Sequence, residues 1–130
     1  MKKALLVTIV ALWASAAGAA VLQNNQSSGD TEWMGFAVSP QGRVFYSDPT
    51  YDEDEAREAA ISYCAKQSLR SCRAIAVPID ADVTVIKCQN GSSFDSFIGG
   101  SKLGFETDIA YDKAAQDGWS RRQCRVVFTY

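Results

Sequence analysis

The chain passes twice through the order hairpin, helix, strand, and this repeat limits its fold more than any other feature of the sequence. The stretch 33–47 contains two β-rich runs around a Ser-Pro-Gln-Gly turn, which predicts a hairpin. A helical pattern follows over 50–67. The nearly continuous apolar run 72–79 then predicts a central strand that ends at Pro78.

The second half repeats this order. Asn90-Gly91, the strongest short hairpin signal, lies between two apolar runs within 83–99. A short helix is predicted over 107–118 and a last strand over 123–130. The stretches SCRAIAV and QCRVVFT match at the last strand of each half, as REAA and DKAA match in the helices. The repeat also aligns Trp119 with Cys64.

Local signals indicate where the helices begin and which faces they bury. Thr50 and Glu53 have the spacing of a capping box, and Thr107 or Asp108 is expected to cap the second helix, which Gly118 ends. Residues at helical spacing are expected to face the core; they are Ala56, Ala59, Ala60, Tyr63 and Cys64 in the first helix, and Ala110, Tyr111, Ala114 and Ala115 in the second. Together these patterns predict an α+β fold, with one antiparallel sheet and both helices packed on one of its faces.

The chain has room for one domain behind a leader. Residues 1–20 have the charged start, apolar stretch and Ala-Gly-Ala end of a secretory signal peptide, and the apolar part is shorter than the roughly 20 residues of a membrane-spanning helix. Residues 21–32 are polar and without periodicity, which indicates a flexible segment, and 33–130 form the predicted disulfide-stabilised domain. We therefore expect a periplasmic or secreted protein that is not inserted into the membrane once its leader is removed.

The charge of the mature chain argues against two classes of partner. Removing Lys2 and Lys3 from the 13 basic residues leaves 11 against 15 acidic residues, a net charge of −4, whereas nucleic acids and anionic lipids require a basic surface. Acidic residues crowd the stretch 48–58, and arginines cluster near the C-terminus. The candidate partner-binding residues are therefore Asp52, Glu53, Asp54, Glu55, Arg121 and Arg122.

All four cysteines, Cys64, Cys72, Cys88 and Cys124, lie in the mature part, and an even count in a small exported domain predicts disulfides. Of the three connectivities that four cysteines allow, we favour Cys64–Cys72, which ties a helix to the next strand, and Cys88–Cys124, which ties the second hairpin to the last strand. The spacings of 8, 16 and 36 residues do not fit a zinc site. Cys64 also lies at the wrong end of its helix for a redox thiolate. No metal or other cofactor is expected.

The sequence contains no histidine, which removes Ser-His-Asp and Cys-His catalysis and the most common general base at neutral pH. The acidic run 52–55 lacks the alternating ligands and central glycine of a calcium loop, and its place at a helix start suits the helix dipole. An enzyme that uses carboxylates alone stays open, because the distance between carboxylates across the fold is not visible in a sequence.

Four stretches in order, WMGFAVSPQGRVFYS, EDEAREAAISYC, SCRAIAV and KC, resemble the bacterial exported family described as domain of unknown function 4189. That family has an early W-G-x-A strand, a helix with A-x-x-A-A-x-x-x-C, a cysteine that opens the next strand and a further cysteine after it. The similarity covers 33–130 and is best over 33–88. Trp119 departs from the pattern, because the family often has a cysteine-bearing helix there. The resemblance implies an exported disulfide domain and no particular activity.

The leading hypothesis is an exported, non-enzymatic binding protein whose partner is a protein of the cell envelope. Its sharper form is an inhibitor or immunity-type protein that acts on a cell-envelope enzyme or a toxin, since such targets are often basic and the acidic helix start would complement them. The alternatives are a carboxylate-dependent enzyme acting on the cell wall or on glycans, and an envelope structural protein. The sequence carries no signal for the oligomeric state.

Overall fold

The computed structural model describes residues 31–67 and 71–130, and their elements follow the order that the repeat predicts. The predicted signal peptide, 1–20, and residues 21–30 of the predicted flexible segment lie outside the described residues. The strands are β1 (Trp33–Val38), β2 (Val44–Tyr46), β3 (Arg73–Pro78), β4 (Asp82–Asn90), β5 (Ser93–Ser101) and β6 (Cys124–Thr129). The helices are α1 (Glu53–Gln67) and α2 (Glu106–Gln116), and a short 3-10 helix, Arg121–Gln123, precedes β6.

Both predicted hairpins are present. Between β1 and β2, the N–H of Gly42 donates to the carbonyl of Ser39 at 2.9 Å, and Gly42 has a φ of 93°, which a residue with a Cβ rarely adopts. Between β4 and β5, Asn90 pairs with Ser93 across a loop of two residues, in which Gly91 comes first with a φ of 63°, so the turn lies one residue later than Asn-Gly predicts.

The strands form two antiparallel sheets of three, one from each half of the chain. The strand orders are β2-β1-β3 and β5-β4-β6, so the first strand of each half is the central one. The α+β class and the two hairpin–helix–strand halves are therefore confirmed. The strands are divided over two sheets, where the sequence predicted one, because each half completes its own strand pairing.

A shared apolar core lies between the inner faces of the two sheets. Phe36 of β1 and Val85 of β4 are fully buried in it, and the Phe36 ring lies 5.0 Å from the ring of Tyr130, which follows β6. Burying a large apolar side chain contributes about 1.5–3 kcal/mol. The two halves therefore stabilise one another through this core.

Strand β3 was predicted as a central strand, but it lies at an edge of the first sheet. Its apolar run has a different cause. Ile75 and Val77 contact the shared core, while Ala74 packs against the cluster under α1. Both faces of β3 are therefore covered, and a strand covered on both faces reads as a continuous apolar run whatever its place in the sheet.

Each helix covers the outer face of its own sheet. In the first half, Ala60 and Cys64 of α1 pack on Ala37 of β1, and in the second half Ala110 of α2 packs on Phe97 of β5. Glycines make the approach close: a Cβ on Gly35 would overlap the carbonyl oxygen of Ala56, and one on Gly99 would overlap that of Glu106. The alanine faces of the helices thus rest almost directly on the sheet backbones.

The predicted capping box at the start of α1 is wrong. Asp52 caps the helix instead, because its Oδ1 accepts hydrogen bonds from the N–H of Asp54 at 2.9 Å and of Glu55 at 3.2 Å. Asp52 directly precedes the first helical residue, whereas Thr50 lies too early. The hydroxyl of Thr50 donates to Oε1 of Glu55 at 3.0 Å.

The predicted caps of α2 are also wrong, but its predicted end is confirmed. The helix starts after Phe105 without a side-chain cap; Thr107 Oγ1 lies 3.0 Å from Thr84 Oγ1 on β4, and Asp108 pairs with an arginine. At the other end, Gly118 has a φ of 92° and its N–H bonds to the carbonyl of Ala115 at 3.0 Å. This is the glycine stop that the sequence predicts.

The buried stripes of both helices are narrower than predicted. The buried residues are Ala56, Ala60 and Cys64 in α1, and Ala110 and Ala114 in α2. Tyr63 is 44% exposed and Ala115 is exposed, while Ala59 and Tyr111 are half-buried. A helix that touches the sheet along one row of small residues, four apart, buries that row and leaves its flanks in solvent.

Candidate functional site

All four cysteines of the sequence are in disulfides. Cys64, at the buried face of α1, bonds Cys72 before β3, and Cys88 of β4 bonds Cys124, which faces it on β6. This is the pairing that the sequence favours. Trp119, which the repeat aligns with Cys64, packs against the buried cluster that holds Cys88. The disulfides therefore fasten the helix-to-strand joint of the first half and the sheet of the second.

The predicted acidic residues lie on the solvent side of the start of α1. Asp52, Glu53, Asp54 and Glu55 are all exposed, and three of them make local contacts. Asp52 caps the helix, Asp54 forms an ion pair with Arg57 one turn later, and Glu55 accepts from Thr50. Their arrangement is explained by the helix start itself.

Arg121 and Arg122 lie in the 3-10 helix before β6 and are exposed. The Arg121 guanidinium lies 4.1 Å from the centroid of the Tyr111 ring, and its Nη2 lies 3.7 Å from Oδ1 of Asp108. The carboxylate partner of Arg121 thus belongs to α2. Among the described residues, no ion pair connects these arginines with the acidic run 52–55.

Sequence reasoning missed a charged cluster that joins the two halves. Arg73 begins β3, and its Nη2 donates to Oδ2 of Asp95 on β5 at 2.7 Å and to Oδ2 of Asp117, after α2, at 2.8 Å. The guanidinium carbon lies 4.4 Å from the centroid of the Phe97 ring. We call Arg73, Asp95, Asp117 and Phe97 the junction cluster. It connects the first half to two elements of the second.

The electrostatics of the junction cluster hold Arg73 charged. The hydrogen bond from Arg73 to Asp95 is the main cause that raises the pKa of the guanidinium, against the opposing effect of its partial burial. Lys113 of α2 lies nearby, and burial, followed by the positive charge of Arg73, lowers the pKa of its ammonium group. The Lys113 Nζ donates to the carbonyl of Ile98 at 2.8 Å.

A cleft of about 340 Å³ opens beside the junction cluster, and we call it the junction cleft. It is lined by Pro40, Ser71, Cys72, Arg73, Phe94 and Asp95. The first four come from the first half of the chain and the last two from the second. Its walls are therefore brought together only when the two halves pack.

Two features fix the walls of the junction cleft. On one side, the disulfide from Cys72 to the fully buried Cys64 fastens the chain just before Arg73. On the other side, the hydroxyl of Ser96 donates to the carbonyl of Pro40 at 3.0 Å, which binds the β1–β2 turn to β5. Walls held in this way are preformed for a ligand, and less conformational freedom is lost on binding.

The lining of the junction cleft suits binding better than proton transfer. It combines an aromatic ring, a proline ring, a hydroxyl and a guanidinium–carboxylate pair, a mixture of apolar walls and a few fixed polar groups that is typical of ligand pockets. Both oxygens of the Asp95 carboxylate already accept hydrogen bonds, Oδ2 from Arg73 at 2.7 Å and Oδ1 from the N–H of Ser96 at 2.8 Å. Among the described residues, no group of three or more side chains could hold a metal ion.

A smaller hollow of about 110 Å³ lies between α2 and β6. Its lining includes Tyr111, Trp119 and Arg121. Its volume is well below the range of about 300–1,000 Å³ that is typical of ligand pockets. The junction cleft is therefore the stronger candidate.

The sequence contains one signal that points toward Arg73. The repeat aligns SCRAIAV with QCRVVFT, so an arginine follows a cysteine at the start of the last strand in each half. A charged residue at the head of an apolar strand needs a partner or solvent. Its partners, however, lie 22 and 44 residues further along the chain, and no local pattern predicts contacts of that separation.

Comparisons with protein-family models, with curated proteins and with solved structures find no match to this chain. The family resemblance of the sequence therefore stays a prediction. No helix within 31–67 or 71–130 has the length and apolar character needed to cross a membrane.

Proposed function

We propose that this protein is an exported, non-enzymatic binding protein, and that its ligand occupies the junction cleft. The observation that carries this proposal is the composition of the cleft, which has a volume of about 340 Å³. It is lined by the guanidinium of Arg73 from the first half, and by the Phe94 ring and the Asp95 carboxylate from the second half. Pockets of this size and mixed character are the usual sites of small ligands.

Two observations support export. The two disulfides fit an oxidising compartment, and the sequence of residues 1–20 has the features of a secretory signal peptide. We propose the periplasm or the extracellular space as the location. The resemblance to the exported family described as domain of unknown function 4189 agrees with this proposal.

The chemistry of the chain supports binding over catalysis. It contains no histidine, and the one carboxylate that lines the junction cleft, Asp95, is hydrogen-bonded to Arg73. Its other carboxylate oxygen accepts from the N–H of Ser96, and the lining of the cleft offers no second carboxylate to divide acid and base roles with it.

A second candidate function is an inhibitor or immunity-type protein directed at a basic cell-envelope enzyme or toxin. The exposed acidic start of α1 favours it, since Glu53 and its neighbours present negative charge to solvent next to Tyr51, which is 59% exposed. Opposite charge on the partner would speed association. This function would use a different surface from the junction cleft.

The test is an amide ¹H–¹⁵N spectrum of the processed, oxidised protein, recorded with the small-molecule fraction and then the protein fraction of a periplasmic extract of its own organism. The proposed function predicts that the small-molecule fraction shifts the amides of Gln41, Arg73, Phe94 and Asp95. Shifts confined to 52–55 with the protein fraction would favour the inhibitor. A spectrum unchanged by both fractions would overturn the binding proposal.

A further inference from the structure

Resting on the function proposed above, we propose that the junction cleft binds an uncharged saccharide ring. Three features of the cleft point to this ligand class: its balanced charge, its alternating hydrogen-bond donors and acceptors, and its apolar walls. In the periplasm or the extracellular space, where we propose that the protein is located, such rings are present in the cell-wall glycan and in free oligosaccharides.

The charge of the cleft disfavours ligands with a charge of their own. Arg73 already bonds two carboxylates, those of Asp95 and Asp117. An anionic ligand would have to compete with both of them for the guanidinium, and a cationic ligand would have to compete with Arg73 for Asp95. Charged hydrogen bonds of this kind are about twice as strong as neutral ones. A neutral ligand can bind while the ion pairs stay intact.

The polar groups left for a ligand match vicinal hydroxyls. Both carboxylates are bonded through Nη2 of Arg73, and within 31–67 and 71–130 no side chain or carbonyl accepts from its Nε and Nη1, which are further donors. Oδ2 of Asp95 accepts from Arg73 and Oδ1 accepts from the N–H of Ser96 at 2.8 Å, and each carboxylate oxygen has a second acceptor site. Donors and acceptors thus lie side by side. A pair of adjacent sugar hydroxyls, each of which donates and accepts, complements them.

The apolar walls match the other surface of a sugar ring. Phe94 and Pro40 contribute flat hydrocarbon surface to the cleft, and the C–H faces of a pyranose are apolar while its rim is polar. The Lys87 ammonium lies 5.2 Å from the centroid of the Phe94 ring, a contact that holds the ring in place. A ligand with one apolar face and a hydroxylated rim therefore meets complementary groups on both kinds of wall.

The size of the cleft limits how much of a glycan it takes. A volume of about 340 Å³ lies near the lower end of the range for ligand pockets, about 300–1,000 Å³. One ring, or the terminal residue of a chain that continues into solvent, is the ligand that fits. We expect weak affinity for a free monosaccharide and stronger binding of an oligosaccharide.

The experiment is an amide-shift titration of the processed, oxidised protein with defined oligosaccharides. The neutral probes are chitohexaose, cellohexaose and maltohexaose; the charged probes are hexagalacturonate and the chitosan hexamer. We expect at least one neutral probe to shift the amides of Arg73, Phe94 and Asp95, and charged probes to shift them less. Co-sedimentation with purified peptidoglycan then separates the two sources, since wall glycan carries the protein into the pellet and a free oligosaccharide does not.

Two variants test the site, each with its own readout. Phe94→Ala should weaken binding of the neutral probe by roughly tenfold to a hundredfold, as the loss of a ring contact implies, while Phe105→Ala, which removes a 55% exposed ring elsewhere, should leave it unchanged. Asp95→Asn keeps the shape of the side chain and removes one competing carboxylate. This variant should bind the neutral probe more weakly and hexagalacturonate more strongly than the wild type does.

The outcomes separate this inference from the proposed function. Cleft amides that respond to charged probes alone would overturn the neutral saccharide and leave the cleft as a ligand site. Cleft amides that respond to the periplasmic small-molecule fraction, but to no oligosaccharide, would overturn the saccharide class in the same way. Cleft amides that respond to neither the probes nor the extract would overturn both.

Discussion

Replacement of Arg73 by alanine should loosen the joint between the two halves. Arg73 is the first residue of β3, and its side chain contacts Asp95, Asp117 and the Phe97 ring, all in the second half. The variant removes two ion pairs and one contact between a cation and an aromatic ring. It also leaves Asp95, whose side chain is 28% exposed, without its main counter-charge.

The expected loss of stability is modest because the cluster is partly exposed. The Arg73 side chain is 42% exposed and that of Asp117 45%, and an ion pair in such surroundings contributes about 0.2–1 kcal/mol. The contact with the Phe97 ring adds about 0.5–1 kcal/mol. We therefore expect Arg73→Ala to lower the free energy of unfolding by about 1–3 kcal/mol.

The assay is urea unfolding of the disulfide-intact protein, with Arg125→Ala as the matched control. Arg125 occupies the position in β6 that the repeat aligns with Arg73, and it is exposed and forms no ion pair with another described residue. With a denaturant slope of about 1–3 kcal/mol/M, the midpoint of Arg73→Ala should fall by roughly 1 M. The difference between the variants should shrink in 1 M salt, where the screening length is about 3 Å.

Equal stability of Arg73→Ala and Arg125→Ala would refute this reasoning. It would mean that the junction cluster forms no net stabilising contact between the halves and that the shared apolar core and the Ser96–Pro40 hydrogen bond join them without it. A loss that does not change with salt would also contradict the electrostatic explanation.

Three further predictions concern the packing, the disulfides and the buried lysine. Gly35→Ala should lower the free energy of unfolding, measured by thermal unfolding, by about 3 kcal/mol or more, because its Cβ would overlap the backbone of α1. Gly91→Ala, whose Cβ would meet no atom within 4 Å, should lower it by about 1 kcal/mol because Gly91 has a φ of 63°. Similar losses in the two variants would contradict the close approach of α1 to the sheet. Removing the Cys88–Cys124 disulfide by alanine substitution should lower the free energy of unfolding by about 4 kcal/mol, and removing Cys64–Cys72 should lower it by about 2.5 kcal/mol, since the closed loops span 36 and 8 residues. A larger loss for Cys64–Cys72 in urea unfolding would contradict the loop-entropy explanation. Burial lowers the pKa of Lys113 below its ordinary 10.5, so the unfolded chain binds the proton of this lysine more tightly than the folded chain does. The charged lysine therefore lowers the free energy of unfolding at neutral pH. This loss is relieved as the pH rises from the pKa of the folded state toward 10.5. The wild type should therefore gain stability relative to Lys113→Met over that alkaline window, and a constant difference would show that the ammonium is not desolvated.

The sequence predicts those parts of the fold that depend on neighbours along the chain. Asn90-Gly91 and Gly118 act through backbone conformations that glycine permits, so both are visible locally. The repeated order of elements likewise predicts the two hairpin–helix–strand halves. The choice of Asp52 over Thr50 as the cap of α1 was missed, because both residue types make good caps and the exact first residue of a helix is poorly specified by pattern.

The junction cleft depends on contacts between the halves, and the edge position of β3 depends on its pairing with β1 across a helix; no local pattern contains either. β3 reads as a central strand because Ile75 and Ala74 are both covered, one by the shared core and the other by the cluster under α1. Arg73 and Phe94 look like ordinary strand residues in the sequence. They become one site only because the β1–β2 turn and the starts of β3 and β5 meet when the shared core forms.

The most direct test of the account is to locate the ligand that the processed protein binds in its own compartment. The amide spectrum with the periplasmic small-molecule fraction, recorded for the wild type and for Phe94→Ala, makes this measurement. We expect shifts at Gln41, Arg73, Phe94 and Asp95 in the wild type and the loss of these shifts in the variant. Shifts that spare these residues, or that persist unchanged in Phe94→Ala, would contradict the assignment of the junction cleft as the binding site.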